Sequence, residues 1–438
     1  MKLPRSVQFC MDALERAGFA CYAVGGCVRD HLLGLTPHDY DLCSAALPQE
    51  VCAVFVGLPL VRAGEKHGTI GVVTEEGLVE ITTFRTEGDY TDSRHPGWVR
   101  FVSDIEGDLA RRDFTINAMA YSPTRGFADP FGGREDLKRK ILRTVGDPRT
   151  RLTEDALRIL RGVRFGVKYR LTVETETMQA MNDLAEHLEH IARERIFEEL
   201  CKLLPLMTAE DLLTFSPVLT RAVPALAPMV GFQQHNPHHA YDVYTHTAHV
   251  VSAMPQNLAL RWAALLHDTG KIATCTLDEQ GTGHFLGHAK ASAQVAEQVL
   301  ATLKAPTALR EQVVQLVNLH MTPIEPTKKS VRRWLNRLGV DALGQLLTLQ
   351  EGDCQSKGVA CSPANLPFDQ IRALMEQIIQ ENACFTLRDL AVNGKDLLAL
   401  GYQGKEIGTA LQNLLDAVME EQLPNERTAL LRALETQV

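Results

Sequence analysis

Apolar residues change their spacing once along this chain, near residue 130, and that change dictates a two-part architecture. Up to about residue 125, short β-like runs alternate with helical segments: FACYAVGG (19–26), DYDL (39–42), TIGVVT (69–74) and LVEITTF (78–84). The last two are joined by EEG, a hairpin signal. Beyond residue 135 apolar residues recur at three and four, the helical period, almost throughout. The spacing therefore predicts an α/β head followed by a long all-α body. With 438 residues the chain is long enough for several domains with cores of their own. It has no run of about 18 apolar residues, so no membrane span is expected.

Within the head, two aspartates stand one residue apart just after a glycine pair and an arginine: YAVGGCVRDHLLGL (22–35) runs into TPHDYDLCS (36–44). On a strand, residues i and i+2 share a face, so Asp39 and Asp41 would present both carboxylates on one side. Carboxylates so arranged can hold two Mg²⁺ ions roughly 3.5–4 Å apart, the arrangement that stabilises attacking and leaving oxygens in phosphoryl transfer. Gly25 and Gly26 let backbone N–H groups approach a triphosphate, and Arg29 follows one turn into the next helix. A lone D-x-D is also a common turn or cap feature; the order strand, GG-x-x-R-D, helix, D-x-D favours the metal. Glu80, in LVEITTF, is the candidate third carboxylate, with an exposed strand position as the alternative.

Ten cysteines are scattered without a C-x-x-C, which points to reduced thiols in a cytoplasm rather than to disulfides or a zinc knuckle. The start, MKLPRSVQFCMDALERAGF, has no signal-type apolar core and is expected to form an amphipathic helix. A net charge of −9 gives no global footprint of nucleic-acid binding. Locally the balance reverses: between Arg134 and Arg170 there are 12 Lys+Arg against 5 Asp+Glu. A basic stripe of this kind suits a phosphate backbone.

Five segments in order carry a resemblance: GGCVRD (25–30), DYD (39–41), RRDFTINAMA (111–120), EDALRILRGVRF (154–165) and RERIFEELCKLL (193–204). Together they resemble the class II tRNA nucleotidyltransferases, which include the CCA-adding enzymes and bacterial poly(A) polymerases. The resemblance implies a polymerase β-like nucleotidyltransferase head (1–135) and a helical neck (136–208) with nucleobase-selecting and RNA-binding motifs. It implies that Asp39 and Asp41 hold catalytic Mg²⁺ and that Arg111, Arg112, Asp113 and Asn117 belong to the nucleotide site with Gly25, Gly26 and Arg29. On one helix, Asp155, Arg158 and Arg161 would repeat a three-residue step and share a face. Cytosine and adenine each offer an amino donor beside a ring-nitrogen acceptor; uracil and guanine offer the reverse order. An aspartate beside an arginine would accept the first pair and reject the second, because mispaired buried groups stay unsatisfied.

The helical body holds a second constellation: HHAYDVYTHTAHVV (238–251), LLHDTGK (265–271), GHFLGHAKASA (283–293), LVNLHM (316–321) and EGDCQSK (351–357). This is similar to the HD metal-dependent phosphohydrolases, and implies an HD-type domain over 209–370. Its metal ligands would be His246, His267, Asp268 and Asp353, with His288 and His320 matching the extra histidines of dinuclear members and His249 the alternative first ligand. Imidazole with carboxylate suits Mn, Fe, Ni, Zn or Mg, and Lys271 could neutralise a phosphate. The remaining segment, 371–438, contains LAVNGKDLLALGYQGKEIGTALQNLLDAV (390–418), which resembles the tail of Gram-positive-type members of the transferase family. Lys395 and Lys405, near helix starts, fit RNA backbone contact.

The expectation is an ATP(CTP):tRNA nucleotidyltransferase that builds or repairs the 3′-CCA end, with tRNA, ATP and CTP as partners, no DNA and no membrane. A poly(A) polymerase, a CC-adding or A-adding enzyme, and an HD phosphohydrolase with an RNA-binding head are the alternatives. The polar stretch Thr86–Val99, expected as a long irregular loop, carries Asp89, Tyr90, Arg94 and Pro96 after Arg85 and favours complete CCA addition.

Overall fold

The structure is a computed structural model that describes residues 1–90, 96–237, 239–358 and 367–435. The chain divides into two compact units, Met1–Ala227 and Pro228–Val438.

The first unit opens with α1 (Arg5–Arg16), β1 (Cys21–Val24), α2 (Gly26–Leu32), β2 (Asp41–Ser44), α3 (Pro48–Val54), β3 (Leu60–Val61), β4 (Thr69–Thr74) and β5 (Gly77–Thr83). Next come β6 (Arg85–Tyr90), β7 (Pro96–Phe101), α4 (Ile105–Ala110), β8 (Ala120–Ser122) and β9 (Gly126–Ala128). α1 buries Val7, Cys10, Met11 and Leu14, the three-and-four spacing that makes it amphipathic. In β5, Val79, Ile81 and Thr83 are buried while Leu78 and Glu80 face solvent, the period of two of a half-buried strand. Seven strands form one sheet in the order β3-β4-β5-β2-β1-β8-β9. Within this sheet only β2 and β5 pair in parallel.

Two expectations are corrected here. Asp39 is not on the strand, which starts at Asp41. The cause is the partner: Asp41 pairs with Val24, the last residue of β1 before Gly25 turns the chain into α2, so nothing remains for Asp39 to pair with. Within the stretch expected as an irregular loop, β6 and β7 pair antiparallel from Arg85↔Phe101 to Tyr90↔Pro96. Arg94 lies outside the described residues, as do the side chains of Asp89, Tyr90 and Pro96.

The first unit continues through α5 (Gly133–Arg139), β10 (Ile141–Leu142), α6 (Pro148–Glu154), α7 (Leu157–Tyr169), β11 (Thr172–Val173), α8 (Thr175–Asp183), α9 (Arg193–Leu203), α10 (Ala209–Thr214) and α11 (Ser216–Ala222). α7 buries Ile159, Leu160, Val163 and Val167. The boundary expected after residue 208 and the division between the compact units differ: α10 and α11 belong to the first unit, which runs to Ala227.

The second unit holds α12 (Val243–Ala253), α13 (Leu258–Leu266), α14 (Lys271–Thr274), β12 (Thr276–Leu277), β13 (Gly283–His284), α15 (His288–Thr302), α16 (Thr307–Leu319), α17 (Lys328–Leu338), α18 (Val340–Gln355) and α19 (Phe368–Gln380). It ends with α20 (Gly394–Ala399), α21 (Lys405–Met419) and α22 (Arg427–Glu435), which share a buried cluster of Leu390, Leu397, Leu415, Leu430 and Leu434. Among the described residues no helix is long and apolar enough to cross a membrane.

Candidate active site and metal centre

Gly25 sets the geometry of the first site. Its φ of +70° is a conformation that side chains resist, and a Cβ there would sit 2.8 Å from Arg112 NH1. Its N–H donates to Met119 O at 3.0 Å, tying the turn to the residue before β8. Asp41 sits beside this turn, opposite Val24, and Asp39 precedes it on exposed chain. In the parallel ladder Leu42 pairs with Ile81, so Glu80 occupies the neighbouring position to Asp41 on the exposed face. Asp41 keeps solvent contact, yet the atoms packed around its carboxyl push its pKa up, the nearby Arg112 pulls it down and Asp39 raises it further. A carboxylate raised by a neighbouring carboxylate gains from a shared cation.

Arg111 and Arg112 are both held by a residue that the sequence expectations did not include, the fully buried Asp108. Its Oδ1 accepts from Arg111 at 2.8 Å and its Oδ2 from Arg112 at 3.1 Å. Burial works against its charge, but the two arginines hold its carboxyl below the usual range. The signal was present: in DLARRD, Asp108 precedes the arginines by three and four residues, one helical turn.

The next residues form a continuous chain of hydrogen bonds. Arg161 donates to Asp113 Oδ2 through Nε at 2.8 Å and NH2 at 2.6 Å. Asn117 Nδ2 donates to Asp113 Oδ1 at 3.0 Å, and Asn117 Oδ1 accepts from Arg29 NH1 at 2.5 Å. Burial alone would raise the Asp113 pKa; Arg161 and Asn117 bring it down to about 2. Arg29 also donates to Asp30, which accepts from the Tyr169 hydroxyl, and its guanidinium lies 4.4 Å from the centre of the Tyr169 ring. The network thus leaves α7 at Arg161 and returns to it at Tyr169.

The expected shared face of Asp155 and Arg158 is not present, because the helix breaks between them. Asp155 is the C-cap of α6, with extended φ and ψ of −143° and 101°, and α7 begins only at Leu157. Asp155 Oδ2 accepts instead from Arg195 NH2 at 3.0 Å. Arg158 donates to Glu154 at 2.6 Å, to Arg151 O at 2.9 Å and to Arg111 O at 3.2 Å. Arg158 and Arg161 do lie together on α7.

In the second unit, four imidazoles converge on two carboxylates. His267, His288 and His320 each have Nδ1 within 2.6–2.8 Å of the carbonyl oxygen three residues earlier, and His246 Nδ1 lies 3.2 Å from Ser356 O. Donating Nδ1–H to a carbonyl leaves Nε2 as a free lone pair, the tautomer that binds metals. The Nε2 atoms of His246 and His267 stand 3.5 and 3.3 Å from Asp268 Oδ2. Those of His288 and His320 stand 3.5 and 3.9 Å from Asp268 Oδ1. Asp353 Oδ1 is 2.9 Å from His246 Nε2. Burial and the neighbouring His267 push the His320 pKa down to about 4, so its ring is neutral near pH 7.

These donors fit a divalent metal. His267 Nε2 is buried without a hydrogen-bond partner, which is costly unless a cation completes it. The donors fall into two groups that share Asp268: His246 with His267, and His288 with His320. His249 belongs to neither; its ring stacks on Tyr241 at 4.7 Å. Lys271, expected to face a phosphate, binds Asp268 Oδ2 at 2.7 Å and Gln234 Oε1 at 2.8 Å.

Comparison with known proteins places each part of the chain. The poly A polymerase head domain matches residues 21–143, the RNA- and SrmB-binding site of polymerase A matches 170–213, and the second tRNA nucleotidyltransferase domain matches 254–434. The CCA-adding enzyme of Levilactobacillus brevis is 33% identical over 435 residues, covering 97% of this chain and 95% of that protein. That of Streptococcus mutans is 32% identical, covering 98% and 97%. The crystal structure of the Bacillus stearothermophilus CCA-adding enzyme in complex with CTP superposes with a TM-score of 0.70 at 28% identity, covering 100% of this chain and 98% of that one.

Proposed function

The chain belongs to the CCA-adding enzymes, and on that premise we propose how its residues carry out the reaction. It adds and repairs the 3′-terminal CCA of tRNA from CTP and ATP, without a nucleic-acid template. The tRNA 3′-oxygen attacks the α-phosphorus of the nucleotide; the bond to the β-phosphate oxygen breaks and pyrophosphate leaves. The family depends on divalent metal; Mg²⁺ held here would supply charge neutralisation to the transfer. Asp39 and Asp41 are its protein ligands, with Glu80 as the third carboxylate.

Catalysis by these residues is positioning and charge compensation. The Gly25–Gly26 turn lets the triphosphate approach the backbone, and Arg29, Arg111 and Arg112 offset its charge. Asp113 and Asn117 orient the ribose, with Arg161 holding Asp113 in place. Asp155 and Arg158 read the pairing edge of the base. Residues 1–135 form the transferase head and 136–208 the neck; the tail 371–438, with Lys395 and Lys405, binds the tRNA backbone. The single observation that carries this proposal is the placement of Asp41 beside the Gly25 turn, with Asp39 and Arg112 both acting on its charge.

The test is incubation of a tRNA lacking CCA with CTP and ATP, singly and together, followed by sequencing of the 3′ end. Completed CCA is expected; a poly(A), CC or single-A product would identify one of the alternatives. Asp39→Ala or Asp41→Ala should abolish addition of both nucleotides while tRNA binding persists. Survival of addition within about tenfold would remove the two-carboxylate assignment.

A second activity is supported by the convergent Nε2 atoms around Asp268. We propose that the second unit up to residue 370, rather than the expected 209–370, forms an HD-type domain whose donors His246, His267, Asp268 and Asp353, with His288 and His320, hold a transition metal. Such a site lowers the pKa of bound water toward neutrality and suits hydrolysis of a phosphomonoester or a 2′,3′-cyclic phosphate on damaged tRNA ends. Metal analysis of the purified protein and phosphate release from both substrates test it. Absence of metal and of release with every divalent ion would leave this region a scaffold.

A further inference from the structure

We propose that Arg195 is a positioning residue for base selection: it fixes the plane of the Asp155 carboxylate and thereby sets which nucleotides are rejected. The inference rests on the base-selecting role proposed for Asp155. At the break between α6 and α7, Asp155 has no helical neighbours to lock its side chain, and two contacts from different directions do so instead. Leu157 N donates to Oδ1 at 3.1 Å, and Arg195 NH2 donates to Oδ2 at 3.0 Å. A carboxylate has about four lone-pair sites, so each oxygen keeps acceptor capacity for the amino group of cytosine or adenine. The two side chains are 25% and 17% exposed, accessible enough for a nucleotide to reach Asp155 while the pair stays formed.

Arg195 is itself on a fixed element. α9 is tied to α7 by Arg164 donating to the buried Glu199 at 2.6 Å. A carboxylate held in this way repels the carbonyl that uracil or guanine presents at the same position. Released from Arg195, Asp155 would keep one contact and could swing away from that carbonyl. The repulsion that rejects U and G would fall, while an amino group could still attract the carboxylate back. Discrimination, rather than affinity for tRNA, is therefore what Arg195 controls.

The experiment compares Arg195→Ala, Arg195→Lys, Asp155→Ala and the double Ala variant on a tRNA lacking CCA. It measures kcat/KM for each of the four nucleoside triphosphates and sequences the 3′ ends. Arg195→Ala is expected to reduce the preference for CTP over UTP and for ATP over GTP by about tenfold or more. Arg195→Lys should restore much of it, and the double variant should discriminate no worse than Asp155→Ala alone. An equal slowing with all four nucleotides, or discrimination losses that multiply in the double variant, would overturn the proposal. If Asp155→Ala blurs selection and Arg195→Ala does not, Arg195 is excluded and the base-selecting role stands. If Asp155→Ala leaves selection intact, that role fails and the inference with it. Should Arg195→Ala not fold, Arg195→Met, which keeps the apolar stem and removes the donor, is compared with Arg195→Lys: equal discrimination by the two and by wild type counts against the proposal.

Discussion

Replacing Asp113 by asparagine would remove one charge at the centre of the transferase network and keep the shape of the side chain. In the folded protein Asp113 titrates at about 2, against an ordinary 3.8, because Arg161 and Asn117 outweigh the cost of its burial. The difference corresponds to about 2–3 kcal/mol of stability. Because the folded value is the lower one, this contribution is complete above about pH 5 and is lost as pH falls toward 2; at pH 3 about half remains. Asp113→Asn should therefore destabilise the first unit by about 2–3 kcal/mol at neutral pH, which for a unit of this size lowers its melting temperature by about 5–10 °C. Thermal unfolding followed by circular dichroism at pH 7 and at pH 3 provides the measurement. The gap between wild type and variant should narrow by about half at the lower pH. A gap under about 1 °C at pH 7, or one that does not change with pH, would refute the electrostatic account of this site.

Three further outcomes are expected. Gly25→Ala should weaken addition of both C and A and lower stability by about 1–2 kcal/mol, since the turn has positive φ and the new methyl meets Arg112; unchanged kinetics with all nucleotides would exclude this close approach as a functional feature. Burial and Asp39 raise the Asp41 pKa, so in metal-free protein the Asp41 carboxyl, followed by carbon-13 NMR, should titrate at lower pH in Asp39→Asn than in wild type, and an unmoved titration would separate the two carboxylates. His267→Ala combined with Asp268→Ala should eliminate metal bound to the second unit and any phosphoester hydrolysis while sparing CCA addition; loss of addition with the fold intact would mean that the two sites are coupled.

Much of the head was legible from local rules. The three-and-four spacing of Val7, Cys10, Met11 and Leu14 gave α1, and TIGVVT-EEG-LVEITTF gave the β4–β5 hairpin. Both depend on contacts within a few residues, where periodicity carries the information. The β6–β7 hairpin was missed because pairing partners, not composition, decide whether a polar Gly- and Pro-containing stretch becomes strand. Asp108 was missed although its spacing to Arg111 and Arg112 was visible, because sequence does not reveal that its carboxylate is fully buried and both arginines depend on it.

The sequence by itself determined which chemical groups are available: paired aspartates after a glycine turn, an arginine-rich neck, and histidines with an HD pair in the body. It did so because those residue types and their order are written along the chain. Tertiary structure decided which groups face one another. Asp155 and Arg158 are three residues apart, a spacing that on a continuous helix makes them neighbours, yet the break at Asp155 sends one to Arg195 and the other to Glu154. Likewise, four histidines spread from 246 to 320 meet around Asp268 only because separate helices bring them there, with backbone carbonyls turning each Nε2 inward. Such contacts join residues dozens of positions apart, and the packing that brings them together leaves no period in the sequence.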